Sequence, residues 1–147
     1  MTAPSLDAFL KARKADLPKG PIAIIFAEDD VGIGSTIRHH ARIGFANILL
    51  LARDDMVLPQ DCQDICHQIA NDPFNEIPLN VAVNKVNEAF AGRWIYYCYN
   101  AEYLHFPFCE DRSIGELITL ITEERRASAF TYVVDLYAAD LDNNPDG

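Results

Sequence analysis

The chain has 147 residues, of which 50% are hydrophobic and 23% are charged. This composition fits one domain with an apolar core and excludes disorder along the whole chain. The net charge is -10, and residues 61–147 supply all of it, since acidic and basic side chains balance in residues 1–60. A negative field repels phosphates, so we expect no nucleic-acid partner and no generic binding to anionic lipid.

No apolar run approaches the roughly 20 residues that span a bilayer, so no integral membrane segment is expected. The first 20 residues alternate charged and apolar side chains and lack the apolar core of a signal peptide. We therefore expect a cytoplasmic protein. Its four cysteines do not show the C-x2-C spacing of a zinc site, which favours reduced thiols buried in the core.

The N-terminal region is predicted to be a helix followed by a linker. Residues 5–16 have an amphipathic helical pattern, which begins with Ser5 as its N-cap. Proline and glycine then interrupt the pattern before residue 21. The predicted organisation is an N-terminal helix and linker in residues 1–20 and an α/β domain in residues 21–147.

A strand, a helix and a second strand are predicted next. Residues 22–27 form a continuous apolar run, as expected for a parallel strand buried on both faces. Residues 31–43 predict a helix that ends at Gly44, and residues 46–51 predict the second strand. Together they predict a βαβ unit.

The middle of the chain gives weaker signals. Residues 63–70 fit either a strand or a helix, and residues 71–78 are predicted to form a loop. Residues 79–91 predict a helix ending at Gly92, with one apolar face made by Leu79, Ala82, Val83, Val86 and Phe90. Residues 94–99 predict an aromatic strand.

The last predicted elements are a helix and a strand. Ser113 and Glu116 have the spacing of a capping box, which predicts that a helix begins there. Its predicted apolar face is made by Ile114, Leu117, Ile118 and Ile121. Residues 129–137 predict a final strand. The alternation of strands and helices predicts an α/β fold, a three-layer α/β/α sandwich with a mostly parallel sheet.

Polar side chains follow several of the predicted strands. Ligands of open α/β sheets bind beyond the carboxyl ends of the strands, where this chain places Glu28, Asp29, Asp30, Arg53, Asp54, Asp55, Asn100, Glu102 and Asp135. Carboxylates there can accept hydrogen bonds from sugar hydroxyls or bind Mg²⁺ or Mn²⁺. The alternative is that they are solvated loop residues, which we favour for Asp54 and Asp55.

Other sites are excluded by spacing. His39 and His40 are adjacent in the predicted helix and point about 100° apart, so they do not form a two-ligand metal face. We expect one to pack inward and the other to face water. Gly32 and Gly34 lack the further glycine and lysine of a phosphate-binding loop. The chain also has no G-x-S-x-G motif of serine hydrolases.

Three pieces of the chain carry a resemblance to a known family. They are AEDDVGIGSTIRHHARIGFANILLL, WIYYCYNAEYLHFPFCEDRSIGELITLITEERR and TYVVDLYAADL. Over residues 21 to 141 they resemble family-2-like glycosyltransferases of the Rossmann-like GT-A fold, especially the bacterial group with a degenerate donor site. The resemblance implies binding of a nucleotide-sugar donor and transfer of its glycosyl group. The donor sugar and the acceptor stay open.

The resemblance also implies site residues. Glu28 and Asp29 stand where that family has an Asn-Glu pair facing the nucleotide, and His40 stands at its helix histidine. Glu102, with Tyr103 and Leu104, resembles the end of the family's Asp-x-Asp-Glu-Phe-Leu motif. Asn100 joins the set because it follows the predicted aromatic strand. The expected substrate-binding residues are therefore Glu28, Asp29, His40, Asn100 and Glu102, and no catalytic residue is assigned.

The chain departs from the family at its metal-binding positions. The two aspartates of the motif fall on Tyr99 and Ala101, and the aspartate that usually follows the second strand falls on Ala52. The family implies Mg²⁺ or Mn²⁺, but these replacements leave the cofactor open and no metal ligand assigned. The chain ends soon after its last predicted strand, so we expect the nucleotide-binding part of a longer protein, truncated at its C-terminus.

Two alternatives stay open. The run IAIIFAEDD before a helix is similar to the first strand and acidic pair of response-regulator receiver domains. No later strand ends in a clear phospho-acceptor aspartate. No strand ends in the Lys-Pro pair of that family either, since Lys85 lies inside a predicted helix. The third reading is a non-catalytic α/β interaction module, since every candidate residue also has a purely structural explanation.

Overall fold

The computed structural model describes residues 2–71, 77–136, 139–140 and 142–143. Its helices are α1 (Leu6–Arg13), α2 (Ile33–Arg42), α3 (Leu79–Ala89) and α4 (Ile114–Glu123). Its strands are β1 (Ile22–Phe26), β2 (Asn47–Ala52), β3 (His67–Ala70) and β4 (Ile95–Tyr99), and a short 3₁₀ helix covers Gln60–Cys62. No helix among these residues is long and apolar enough to cross a membrane.

The four strands form one parallel sheet in the order β3-β2-β1-β4. Every residue of β1 and β2 is buried, as expected for central strands that helices cover on both faces. β4 is only partly buried and pairs on one side with β1. The continuous apolar runs in the sequence therefore correctly predicted the two central strands.

The core consists of two clusters, one on each face of the sheet. α1 and α3 cover one face, where Leu6, Phe9 and Val86 pack with Ile24 and Phe26. α2 and α4 cover the other face, where Ile33, Ile37 and Ile114 pack with Ile25 and Leu50. The predicted three-layer α/β/α sandwich is confirmed. Helix α1, from the first 20 residues, packs in the same core as α3.

The local signals at the helix ends are confirmed. The Oγ of Ser5 accepts a hydrogen bond from Ala8 N–H at 3.2 Å, and Ser113 and Glu116 form the predicted capping box. Gly44 and Gly92 follow α2 and α3 with φ of 100° and 84°, a backbone conformation that favours glycine.

Of the ambiguous segment 63–70, only the last four residues form a strand. Residues 67–70 become β3 because they pair with β2, and the N-terminal residue Ala3 pairs with β3 on its other side. Part of the predicted loop, residues 72–76, lies outside the described residues. On α3, Ala82, Val86 and the following Phe90 are buried as predicted, while Leu79 and Val83 are partly buried.

The prediction of a final strand is wrong for the described part of residues 129–137. Residues 129–136 form neither a strand nor a helix, and residue 137 lies outside the described residues. Their side chains are exposed and lie beside none of the four strands. Apolar and β-branched composition favours a strand, but a strand forms only where a second strand offers hydrogen bonds.

Candidate functional site

The chain changes direction across the sheet between β1 and β4. After β1 it continues through α2 on one face, whereas it reaches β4 through α3 on the opposite face. The carboxyl ends of two such strands flank the crevice in which open α/β sheets bind ligands. Here residues 27–32 follow β1 and residues 100–103 follow β4, so these two loops mark the position at which such sheets bind ligands. We call this position the β1–β4 crevice.

Asn100 connects the two sides of the β1–β4 crevice. Its Oδ1 accepts a hydrogen bond from Glu28 N–H at 3.0 Å. Its Nδ2 donates to Asp29 Oδ1 at 2.6 Å and to Val31 O at 3.0 Å. The structure thus brings together three of the expected substrate-binding residues, Glu28, Asp29 and Asn100.

The carboxylates of Glu28 and Asp29 remain accessible. Asp29 Oδ1 is used inside the loop, because it also accepts a hydrogen bond from Val31 N–H at 3.0 Å. Among the described residues, Asp29 Oδ2 and the Glu28 carboxylate have no hydrogen bond or ion pair, and both residues are exposed. Their free oxygens can therefore accept hydrogen bonds from a ligand in the crevice.

A second set of hydrogen bonds, which the sequence did not reveal, supports the crevice. Thr36 Oγ1 donates to Gly32 O at 2.9 Å and accepts from Ala101 N–H at 2.9 Å. The hydroxyls of Ser35 and Tyr103 lie 2.7 Å apart. The one signal in the sequence was the glycine before the helix, Gly32. In the structure Gly32 has φ of 63°, and a Cβ added to it would lie 3.2 Å from the Cβ of Ala101.

Glu102 lies next to Asn100 in the chain but is used differently. Its Oε2 accepts a hydrogen bond from Tyr99 N–H at 2.7 Å, so the carboxylate closes the end of β4. Glu102 is half-buried, in contrast with the exposed Glu28 and Asp29. One of its oxygens is therefore occupied by the backbone.

His40 lies on the buried face of α2 and does not join the exposed carboxylates. It is 0% exposed, its Nδ1 is 2.8 Å from Thr36 O, and its ring stacks on Tyr96 with centroids 5.4 Å apart. Burial lowers the pKa of His40 to about 4, so the imidazole is neutral at pH 7. In this position His40 packs α2 against β4 through Tyr96, and none of its surface is accessible to a ligand.

The expectation that one histidine of the pair faces water is wrong. His39 is also buried, and its Nε2 lies 2.8 Å from Leu104 O. The chain after β4 folds back over α2 and covers this ring, and burial lowers the pKa of His39. The helical pattern could not predict this cover, because the covering residues are distant in sequence.

The part of the chain that the structure describes shows no metal site. The described residues contain no group of three or more His, Cys, Asp or Glu side chains that could hold a metal ion. Tyr99 and Ala101 offer no carboxylate, and Glu102 is engaged with the backbone. Cys62, Cys66 and Cys98 are buried free thiols, as predicted, whereas Cys109 is partly exposed.

The remaining strand-end residues lie apart from this arrangement. Arg53 and Asp55 form an exposed ion pair after β2, with Nε and Oδ1 3.3 Å apart, and Asp54 is exposed beside them. Asp135 does not end a strand, because residues 129–136 form none. That placement of Asp135 was wrong for the same reason as the predicted strand.

No protein-family model, curated protein or solved structure matches the chain. The geometry of the β1–β4 crevice is therefore the basis on which its function is argued.

Proposed function

We propose that the β1–β4 crevice binds a nucleotide-sugar, and that this chain is the nucleotide-binding part of a glycosyltransferase-like protein. The observation that carries the proposal is the set of hydrogen bonds from Asn100. It holds the loops after β1 and β4 together, while Glu28 and Asp29 in the first of these loops stay exposed. Carboxylate oxygens so placed fit the hydroxyls of a ribose or a sugar.

The charge of the crevice indicates which part of the ligand it contacts. Residues 27–32 and 100–103 include four acidic side chains and no lysine or arginine. Such loops suit hydroxyl groups and base N–H groups, whereas they repel a bare diphosphate. The proposal is therefore one of nucleoside and sugar recognition. Transfer of the sugar would need a group from outside these loops to neutralise the leaving diphosphate.

The strand order favours this proposal over a receiver domain. Receiver domains have the flavodoxin-like order 2-1-3-4-5, in which the third strand lies beside the first. In this chain β3 lies beyond β2, and β4 lies beside β1. The order 3-2-1-4 is that of dinucleotide-binding folds, and the residue after β4 is Asn100.

Titration with UDP- and GDP-sugars, with and without Mn²⁺, tests the proposal by calorimetry and thermal shift. A ligand that binds only the folded state stabilises it by about 2.7 kcal/mol at 100 times its Kd. The Asp29→Asn and Glu28→Gln variants should bind about 10- to 100-fold more weakly, since hydrogen bonds to charged groups contribute about 1.5–3 kcal/mol. Glu88→Gln is the control, because Glu88 is exposed near the end of α3 that precedes β4.

Asn100→Ala tests the arrangement itself. It removes the side chain that joins the two loops, so we expect weaker binding and a loss of stability of about 1 kcal/mol. The proposal fails if no nucleotide-sugar changes the melting temperature or gives a binding heat. It fails equally if the carboxylate variants bind a nucleotide-sugar as tightly as Glu88→Gln does.

A further inference from the structure

The two edge strands of the sheet, β3 and β4, differ in whether another segment of the chain pairs with their outer side. At the β3 edge, Ala3 N–H donates to Gln68 O at 2.9 Å and Ala70 N–H donates to Ala3 O at 2.8 Å. The N-terminal residues therefore cover that edge. Within the residues that the structure describes, β4 pairs with β1 alone, so its other side is an open edge. We call it the β4 edge.

The pairing with β1 shows which atoms the β4 edge presents. Ile22 N–H donates to Trp94 O at 3.0 Å, and Asn100 N–H donates to Phe26 O at 3.1 Å. Because backbone groups alternate in direction along a strand, those of Ile95 and Tyr97 point away from β1. They have no partner among the described residues, and the Tyr97 side chain is 51% exposed.

The same chain carries an exposed segment suited to such an edge. We call residues 129–136 the apolar segment. Five of its large side chains are 72% to 91% exposed, namely those of Phe130, Tyr132, Val133, Val134 and Leu136. Aromatic and β-branched residues of this kind are typical of strands. A contiguous exposed set of them marks an interaction site in a folded protein.

We propose that the apolar segment of one copy of this chain adds as a strand to the β4 edge of a second copy, and that the second copy does the same in return. Each molecule presents both an open edge and an unpaired apolar segment, and it does not bring the two together itself. Two copies related by a twofold axis satisfy both edges at once. Backbone hydrogen bonds give such strand addition its affinity, and alternate side chains give it specificity.

Sedimentation equilibrium from micromolar to millimolar concentration tests the proposal on the full chain. We expect the mass to rise from one chain to two. Val133→Lys in the apolar segment and Tyr97→Lys at the β4 edge should each keep the protein at the mass of one chain, since an edge charge opposes strand addition. Val57→Lys is the matched control, because Val57 is equally apolar and 86% exposed but belongs to neither surface.

Mixing the two lysine variants identifies the partner. Val133→Lys retains an intact β4 edge and Tyr97→Lys retains an intact apolar segment, so the mixture should form a dimer that neither variant forms alone. The proposal is overturned if the unaltered chain stays monomeric at millimolar concentration, including the case in which the segment pairs with its own β4 edge and protects the Tyr97 amide from exchange. It is also overturned if Val133→Lys dimerises as well as Val57→Lys.

Discussion

Strand β1 and the apolar segment are both rich in apolar side chains, but those of β1 are buried and those of the apolar segment are exposed. Every side chain of β1 is buried, because β2 and β4 flank it and helices cover both of its faces. The apolar segment is exposed along its whole length and belongs to no sheet. The comparison teaches that an apolar run expresses a preference for a strand, and that neighbouring layers decide whether the preference is realised.

Truncating one leucine in each environment tests this difference most strongly. Leu50 in β2, the neighbour of β1, is 0% exposed, and Leu136 in the apolar segment is 86% exposed. We expect Leu50→Ala to lower the free energy of unfolding by about 2–5 kcal/mol through lost contacts and a residual cavity. Leu136→Ala should change it by less than about 0.5 kcal/mol.

Urea denaturation at micromolar protein concentration measures both leucine variants. Equal losses of stability would mean that the apolar segment is buried in solution, and the comparison with β1 would then be invalid.

The pH dependence of stability probes the buried half of the molecule. The pKa of His40 is about 4 in the folded state and about 6.5 in the unfolded chain, which therefore binds more protons between these values. Stability should fall as the pH falls, by about 1–2 kcal/mol between pH 6.5 and pH 5. His39 and His67, whose pKa values burial also lowers, add to the same slope.

Denaturation curves at the two pH values, compared between variants, isolate the contribution of His40. His40→Gln should reduce the slope with pH, whereas Val57→Gln, which alters an exposed side chain that does not titrate, should leave it unchanged. A slope that is the same in both variants would show that His40 is not buried in its neutral form.

The smallest expected effect concerns α4, the helix between β4 and the apolar segment. Ser113 Oγ accepts a hydrogen bond from Glu116 N–H at 3.3 Å, and Ser113 N–H and the Arg112 guanidinium lower the pKa of Glu116 to about 2. Ser113→Ala should destabilise the start of α4 by about 1 kcal/mol. Faster amide exchange in the first turn of α4 would show it.

Thr119→Ala is the control for α4, because Thr119 is exposed on the same helix and takes no part in the cap. If its amide exchange rises as much as that of Ser113→Ala, the cap contributes nothing specific.

The elements that could be predicted are those whose signals are local. Ser5 and Ser113 mark helix starts through hydrogen bonds only three residues long, and the apolar runs of β1 and β2 reflect burial on both faces. The assignment of residues 67–70 to β3 could not be made locally, because pairing with β2 and Ala3 decides it. The strand prediction for residues 129–136 was wrong for the complementary reason, because none of the four described strands pairs with them.

The candidate site likewise contains residues that local sequence could predict and contacts that it could not. Glu28 and Asp29 could be proposed because they end a buried strand. Their connection to Asn100 depends on β4 lying beside β1, and strand order leaves no trace in hydrophobic periodicity. The same holds for Thr36, which meets Ala101 across 65 residues of chain, and for the burial of His39 beneath the chain that follows β4.

The hydrogen bond from the Tyr99 amide to Glu102 gives this carboxylate a position next to two proposed binding surfaces, the β1–β4 crevice and the β4 edge. It stands beside the β1–β4 crevice, and it also closes the last outward-facing amide of β4. Any ligand group that drew this carboxylate into the crevice would release that amide and lengthen the open edge by one donor. Occupancy of the crevice and extension of the sheet would then be thermodynamically coupled, with each altering the affinity of the other by the same factor.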